Sequence, residues 1–330
     1  MLASTDEPTE LLGRAAYWRA RTLADAGRSA DAATAYDALA RRYPLSFYAQ
    51  QGLSRLRALE PARADAILEA MRRTVPLEVH SPEGDALWAF ERAAALLSVG
   101  EVASAELELE ASRALDPSSE PERLLLAATL LEAAGESGRA MRLVRGRDSL
   151  YRASMPVGAA HALWRIAYPE AFAPLIEEAA AREAIPSSFV RAVAREESAF
   201  NPSAISHAHA YGLVQLILPT ARDHARSLGL EATPTSLRDP ETNLRIGTRF
   251  MARLFRRYET CPALVPAAYN AGPGAVDRWL RDRESKAFDE LVEDIPYDET
   301  RRYARRVLAS YGVYSFLESG SLPALAERIP

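Results

Sequence analysis

Only one cysteine, Cys261, occurs in the 330 residues, so no disulfide can form within the chain. Histidine is almost as scarce, at five. His207, His209 and His224 have no HExxH-like spacing and no cysteine partner, which argues against a metal centre. No apolar run is long enough to cross a bilayer, and the opening "MLASTDEPTE" is too polar and acidic for a signal peptide. The chain is therefore expected to be either cytoplasmic or a fragment without its export signal. Excess charge of one sign is missing too: 40 basic residues face 45 acidic ones. That balance disfavours a nucleic-acid binder, which needs concentrated positive charge, but it does not disfavour a sugar polymer. What is present in quantity is apolar, with 48% hydrophobic against 26% charged residues, as in a globular protein large enough for two or three domains.

From Leu11 to about Arg145 the apolar residues recur at helical spacing. "GRAAYWRARTLADAG" and "SADAATAYDALARRYP" form one expected pair, the second starting at the cap-competent Ser29 and stopped by Pro44. "PLSFYAQQGLSRLRALE" with "ARADAILEAMRRT" forms another. "EGDALWAFERAAALLSVG" with "EVASAELELEASRALD", and then "EPERLLLAATLLEAAGESGRAMRLVR", repeat the scheme. Alanine-rich contact faces let helices approach closely, so a helical-repeat superhelix of tetratricopeptide-like pairs is expected. Trp18, Trp88 and Trp164 share helical spacing with alanines and are expected in the core, and His161, on an alanine-rich, apolar-faced helix, is expected to be structural. The pattern breaks between residues 155 and 168, and the division into domains is set at 1–160 and 161–330.

In the second half, "SSFVRAVAREESAF" predicts a helix starting near Ser187 or Ser188 that carries two adjacent acids. Val190, Val193, Ala194 and Phe200 surround Glu197 on the apolar side, because residues three and four apart share a face. Glu196, about 100° around, is expected at the rim, with Arg195 turned further toward solvent. A carboxyl on the apolar side favours its neutral form, the state a general acid needs, although a buried structural glutamate has the same pattern. Downstream, Gln215, Tyr269, Asn270 and Glu299 interrupt apolar runs at element ends, where side chains can converge on a groove. Cys261, before Pro262, is expected to be structural. "RRYARR" (301–306) is expected to be mainly a solvated helix face, with a lesser role in holding anionic peptides.

The stretches "AREESAFNPSAIS", "GLVQLILPTA", "DPETNLRIGTRFMARLF", "AAYNAGPGAVDRW" and "IPYDETRRYARRVL" resemble, in order and spacing, the catalytic domain of the soluble lytic transglycosylases (glycoside hydrolase family 23, goose-lysozyme-like). The resemblance covers roughly residues 170 to 318. The first half is similar to the superhelix upstream of that domain in larger members. It implies an all-α protein: an N-terminal helical-repeat superhelix, then a lysozyme-like α-helical catalytic domain. It also implies cleavage of the β-1,4 bond between N-acetylmuramic acid and N-acetylglucosamine in peptidoglycan, without water, leaving 1,6-anhydromuramoyl ends. Glu197 would be the catalytic acid and base. Ser198, Ser206, Gln215, Tyr269, Asn270 and Glu299 would bind substrate or organise the groove.

The same resemblance implies no cofactor and no metal. Glycan strands would be the partners, other cell-wall enzymes would meet the superhelix, and the location would be the periplasm or cell envelope. Alternatives are a lysozyme-type hydrolase and a catalytically weak cell-wall scaffold. The chain departs from the family pattern at Glu196, where glutamine is usual, and at His207 and His209, where proline and glycine are usual. All three are candidates for tuning the groove. Val214 stands in place of a common methionine, and the proline of "QLILPTA" falls one position late. With Glu196 at the rim, Glu196→Gln is expected to keep most activity.

Overall fold

Alanine and leucine at three- and four-residue spacing build the first half into paired helices. The computed structural model describes residues 11–73, 83–111, 121–146, 152, 155–259, 261–281 and 287–324. The chain begins with α1 (Arg14–Asp25), α2 (Ser29–Arg42), α3 (Phe47–Leu59) and α4 (Pro61–Arg72). It continues through α5 (Asp85–Ser98), α6 (Val102–Ala111), α7 (Pro121–Ala133), α8 (Ser137–Arg145) and α9 (Gly158–Ala167). Consecutive helices pack on one another, α1 on α2, α2 on α3 and α3 on α4, with α5·α6 and α7·α8 as further pairs. The end of the repeat "EVASAELELEASRALD", from residue 112, lies outside the described residues.

Two expectations change here. Trp164 is fully buried and Trp18 packs partly buried against the core, but Trp88 is 65% exposed. The buried stripe of α5 is Ala89, Phe90, Ala93 and Leu97, and Trp88 falls two residues off the Phe90 position. Alanines cover so much of this helix that spacing to them does not define a face. Helix α9 runs straight through the expected 160/161 division and packs on α7 and α8. We place the junction at residues 168–172, between α9 and the next helix.

The second half comprises α10 (Ala173–Glu183), α11 (Ser187–Ser198), α12 (Leu218–Ala225), α13 (Pro240–Arg257), α14 (Val265–Ala271), α15 (Pro273–Arg281), α16 (Phe288–Glu293) and α17 (Asp298–Ser319). Helix α13 starts as its Asp-Pro signal predicts: the Asp239 carboxylate accepts from the Thr242 N–H at 2.9 Å, with Pro240 in the first turn. A short antiparallel hairpin, β1 (Ala210–Tyr211) and β2 (Leu216–Ile217), pairs Ala210 with Ile217 and Tyr211 with Leu216. Helix α11 packs against α10 and α17.

Polar side chains tie the halves together. Asp289 of α16 accepts from Tyr17 at 2.5 Å and from Arg55 at 2.7 Å, both in the superhelix. Glu293 takes Arg14 at 2.7 Å and Tyr48 at 2.5 Å from the superhelix, and Arg305 of α17 at 2.7 Å. The "RRYARR" segment is accordingly solvated on one side only: Arg302 is exposed, but Tyr303, Ala304 and Arg305 are buried. Its inward side is taken up by the second half of the chain and the superhelix.

Gln50 of α3 donates from Nε2 to the Leu45 carbonyl at 2.8 Å and to the Ala309 carbonyl of α17 at 2.9 Å. That contact requires Gly312, since a Cβ there would lie 1.9 Å from Gln50 Oε1. Gly312→Val is expected to force the two halves apart locally and to destabilise the chain by about 2 kcal/mol or more, as overpacking does. Chemical denaturation of the variant beside the wild type measures this, and an unchanged midpoint would refute it.

Candidate functional site

Helix α11 ends abruptly, and that ending creates the site. Ala199 and Phe200 take left-handed conformations (φ 52° and 59°), although neither is glycine, and Asn201-Pro202 prevents continuation. Glu197 therefore sits in the last turn, half-buried rather than sealed. The partial negative charge of the helix C-terminus disfavours its ionised form.

Burial is the largest influence on the Glu197 carboxyl and pushes its pKa up to about 7. The Tyr303 hydroxyl and the Arg306 guanidinium oppose that rise, while the Glu196 and Glu299 carboxylates add to it. Tyr303 makes no hydrogen bond of ordinary geometry among the described residues, but its buried hydroxyl lies close enough to Glu197 for each to shift the other. Burial holds both Tyr303 and Tyr269 far above the usual phenol range, so both remain neutral donors. The result is a carboxyl that carries its proton near neutrality beside two phenols.

The loop from Tyr211 to Gln215 faces this carboxyl's helix, and its backbone is almost fully accounted for. Ser198 donates to the Leu213 carbonyl at 2.8 Å, so its hydroxyl fastens the loop to α11. Tyr269 donates to the Val214 carbonyl at 2.6 Å. Asn243, fully buried on α13, accepts from the Val214 N–H at 3.0 Å and donates to the Tyr211 and Leu237 carbonyls at 2.9 and 2.8 Å. Gln215 is left-handed (φ 50°), a strained position for a residue with a side chain. Its Nε2 donates to the Gly212 and Ala204 carbonyls at 2.8 and 3.2 Å, which leaves Oε1 as the acceptor atom of the amide.

Ser206 caps the hairpin, its hydroxyl accepting from the Ala210 N–H at 3.1 Å, with His207 and His209 exposed on the same turn. Asn270 accepts from Thr300 Oγ1 at 2.5 Å, which joins α14 to the start of α17, where Glu299 is exposed. Glu197, Tyr269, Gln215 and Glu299 are thus brought toward one place. Ser198 and Asn270 act mainly as fasteners between elements. Cys261 is buried with its thiol pushed up to about 11, as an inert structural residue would be.

Glu196 is not at the rim. Its side chain is 2% exposed and Arg195 is 1% exposed, because the face expected to meet solvent is covered by α17 and by the end of α8. Burial alone would raise the Glu196 pKa, but Arg195, Arg145, Ser310 and Arg306 overcome it and hold the carboxyl down at about 2. Sequence reasoning also missed Tyr303, Arg306 and Asn243. Tyr303 follows Glu299 by four residues and Arg306 follows Tyr303 by three, a helical spacing that puts all three on neighbouring turns of α17. The clue to Asn243 was a lone amide on the apolar side of α13.

Residues 174–292 match the family described as the transglycosylase SLT domain. Over 162 residues the chain is 37% identical to the soluble lytic murein transglycosylase of Escherichia coli K12, covering 48% of this chain and 25% of that protein. It is 32% identical over 162 residues to the membrane-bound lytic murein transglycosylase C of Cronobacter sakazakii, covering 42% of this chain and 45% of that one. Among solved structures, the 70 kDa soluble lytic transglycosylase of Escherichia coli aligns with a TM-score of 0.67 at 24% identity, over 92% of this chain and 46% of that one. An inactive variant of the Pseudomonas aeruginosa lytic transglycosylase Slt aligns with a TM-score of 0.62 at 23% identity, over 95% and 53%. The curated relatives are therefore two to four times longer than the part matched, and the solved structures agree with this chain in fold.

Proposed function

We propose, from the premise that residues 174–292 are an SLT domain of the lytic transglycosylase type, that this chain cleaves peptidoglycan between N-acetylmuramic acid and N-acetylglucosamine and leaves 1,6-anhydromuramoyl ends. The observation that carries this reading is the half-buried Glu197 carboxyl, protonated near neutrality between Tyr269 and Tyr303. A group with a pKa near the working pH can both give and retake a proton, which this reaction asks of one residue.

Glu197 donates its proton to the glycosidic oxygen as the bond to the muramoyl anomeric carbon breaks. The substrate's own acetamido oxygen bonds to that carbon and gives an oxazolinium, a recognised departure from the two-carboxylate scheme. The Oε1 of Gln215 can accept the acetamide N–H and orient the group. Glu197, now ionised, removes the proton from the C6 hydroxyl, whose oxygen attacks the anomeric carbon and expels the acetamido oxygen. Attack from within the same sugar has the advantage of proximity over free water. Activity should fall as pH rises through the Glu197 pKa, since the deprotonated carboxyl cannot start the reaction. Working on this polymer would place the protein in the cell envelope.

Digestion of purified sacculi followed by mass spectrometry tests the proposal. The expected fragments carry anhydro ends, lighter by one water than the products of hydrolysis. Fragments with reducing ends would assign a lysozyme-type reaction to the same site, and intact sacculi would remove the enzymatic reading.

A further inference from the structure

The residue next to the catalytic acid sits in an environment unlike the one its sequence position suggests. Ser310 donates to Glu196 Oε1 at 2.7 Å, and Arg195 pairs with the same oxygen. Arg145, at the end of α8 in the superhelix, and Arg306 of α17 each approach Oε2 at 3.3 Å. The guanidinium of Arg195 also lies 4.0 Å over the Tyr168 ring, and its Nε donates to the Ala167 carbonyl at 2.9 Å. Arg152 lines the same small space of about 60 Å³ with Ser46 and Phe47 of the superhelix. One carboxylate thus joins the superhelix, the last turn of α11 and the middle of α17.

We propose that Glu196 is a positioning residue for Glu197: by gathering Arg145, Arg195, Arg306 and Ser310 onto one buried carboxylate, it fixes the last turn of α11 and shares the charge of Arg306 that would otherwise fall on Glu197. The proposal deepens the catalytic reading above and rests on it for its link to turnover. Arg306 is the shared element, since it contacts Glu196 directly and also favours the ionised form of Glu197. The other groups facing Glu197 are Tyr269 on α14 and Tyr303 and Glu299 on α17. Among the described residues none of these three pairs with or hydrogen-bonds to Glu196, whose carboxylate acts on Glu197 by direct like-charge repulsion and through the shared Arg306.

Removing the Glu196 charge acts on Glu197 in two ways with the same sign. It deletes a nearby like charge, and it leaves Arg306 uncompensated, so both changes favour ionised Glu197. Titrating the Glu197 carboxyl by ¹³C NMR, with Glu197→Gln to assign the signal, should show its pKa falling by about one unit in Glu196→Gln. The descending limb of the pH–activity profile on sacculi should shift by the same amount, while Glu196→Asp, which keeps the charge, restores most of it. Arg306→Met should move the titration upward, and it decides the matter if Glu196→Gln does not fold. Superimposable Glu197 titrations in wild type and Glu196→Gln, or no upward shift in Arg306→Met, overturn the proposal. If the titrations shift as stated but wild-type protein leaves sacculi intact, the positioning role stands and the catalytic reading falls.

Discussion

Glu197→Gln is expected to lose on the order of 10³–10⁴-fold in turnover of sacculi and, at pH 8, to unfold at a higher temperature than the wild type. Both effects come from the same carboxyl. The amide keeps the shape and half-buried position of the side chain but can neither give nor retake the proton. Stability follows from the sign of the pKa shift. The carboxyl is raised from 4.5 to about 7 in the folded state. Below the unfolded value both states hold the proton and nothing is lost. As pH rises from about 4.5 to 7 the unfolded chain gives up its proton first, so stability declines, and above 7 the loss is complete at about 3 kcal/mol. Glutamine removes that loss, so the variant should gain at pH 8 and match the wild type near pH 4. A variant that keeps a tenth of the wild-type rate, or that melts identically at pH 8, would contradict the role of Glu197.

The inward placement of Glu197 was legible from the sequence because the apolar residues beside it are local. Val190, Val193, Ala194 and Phe200 come from the same helix and turn, and all are buried as the 3.6-residue period requires. Glu196 was misread because the period locates a residue on its helix without revealing what covers each face. Helix α11 is covered nearly all round: every residue from Ser188 to Arg195 is buried. Its polar side is matched by charges distant in sequence, Arg191 by Glu177 and Glu318, and Glu196 by Arg145 and Arg306. A rim position is the natural inference for an acid beside an arginine when only one apolar face is assumed. The superhelix was legible from its alanine spacing, but its grip on α16 through Tyr17, Arg55, Tyr48 and Arg14 was not, because those residues read as ordinary helix surface.

This grip explains why a helical scaffold bears on the chemistry. The superhelix reaches the second half at Asp289, Glu293, the Ala309 carbonyl and Glu196, so it holds α16, α17 and the end of α11. Helix α17 also carries Tyr303 and Arg306, both of which act on Glu197. Movement of α17 against the superhelix would therefore change the environment of the acid itself.

The second large effect is expected at a position that touches no substrate: Gly212→Ala should lower turnover more than 100-fold, and Asn243→Leu should destabilise the chain by about 4 kcal/mol. Gly212 adopts φ 79°, in the left-handed region, and a Cβ there would lie 2.1 Å from the Leu237 carbonyl oxygen and 2.4 Å from Asn243 Nδ2. Neither neighbour can yield. The first is backbone, and the second is held by two carbonyls. The loop must move instead, carrying with it the Val214 carbonyl that receives Tyr269 and the strained Gln215. Displacement of such groups by about 1 Å is enough for a 100-fold loss. Leucine at 243 removes the amide while keeping its bulk, leaving the Val214 N–H and the Tyr211 and Leu237 carbonyls buried without partners, at about 1–3 kcal/mol each. The two variants separate geometry from stability: Gly212→Ala should lose far more activity than its melting temperature suggests, whereas Asn243→Leu should lose both. If Gly212→Ala stays within tenfold of wild-type turnover, the loop does not position the reaction and the site must be rebuilt around α11, α14 and α17 alone.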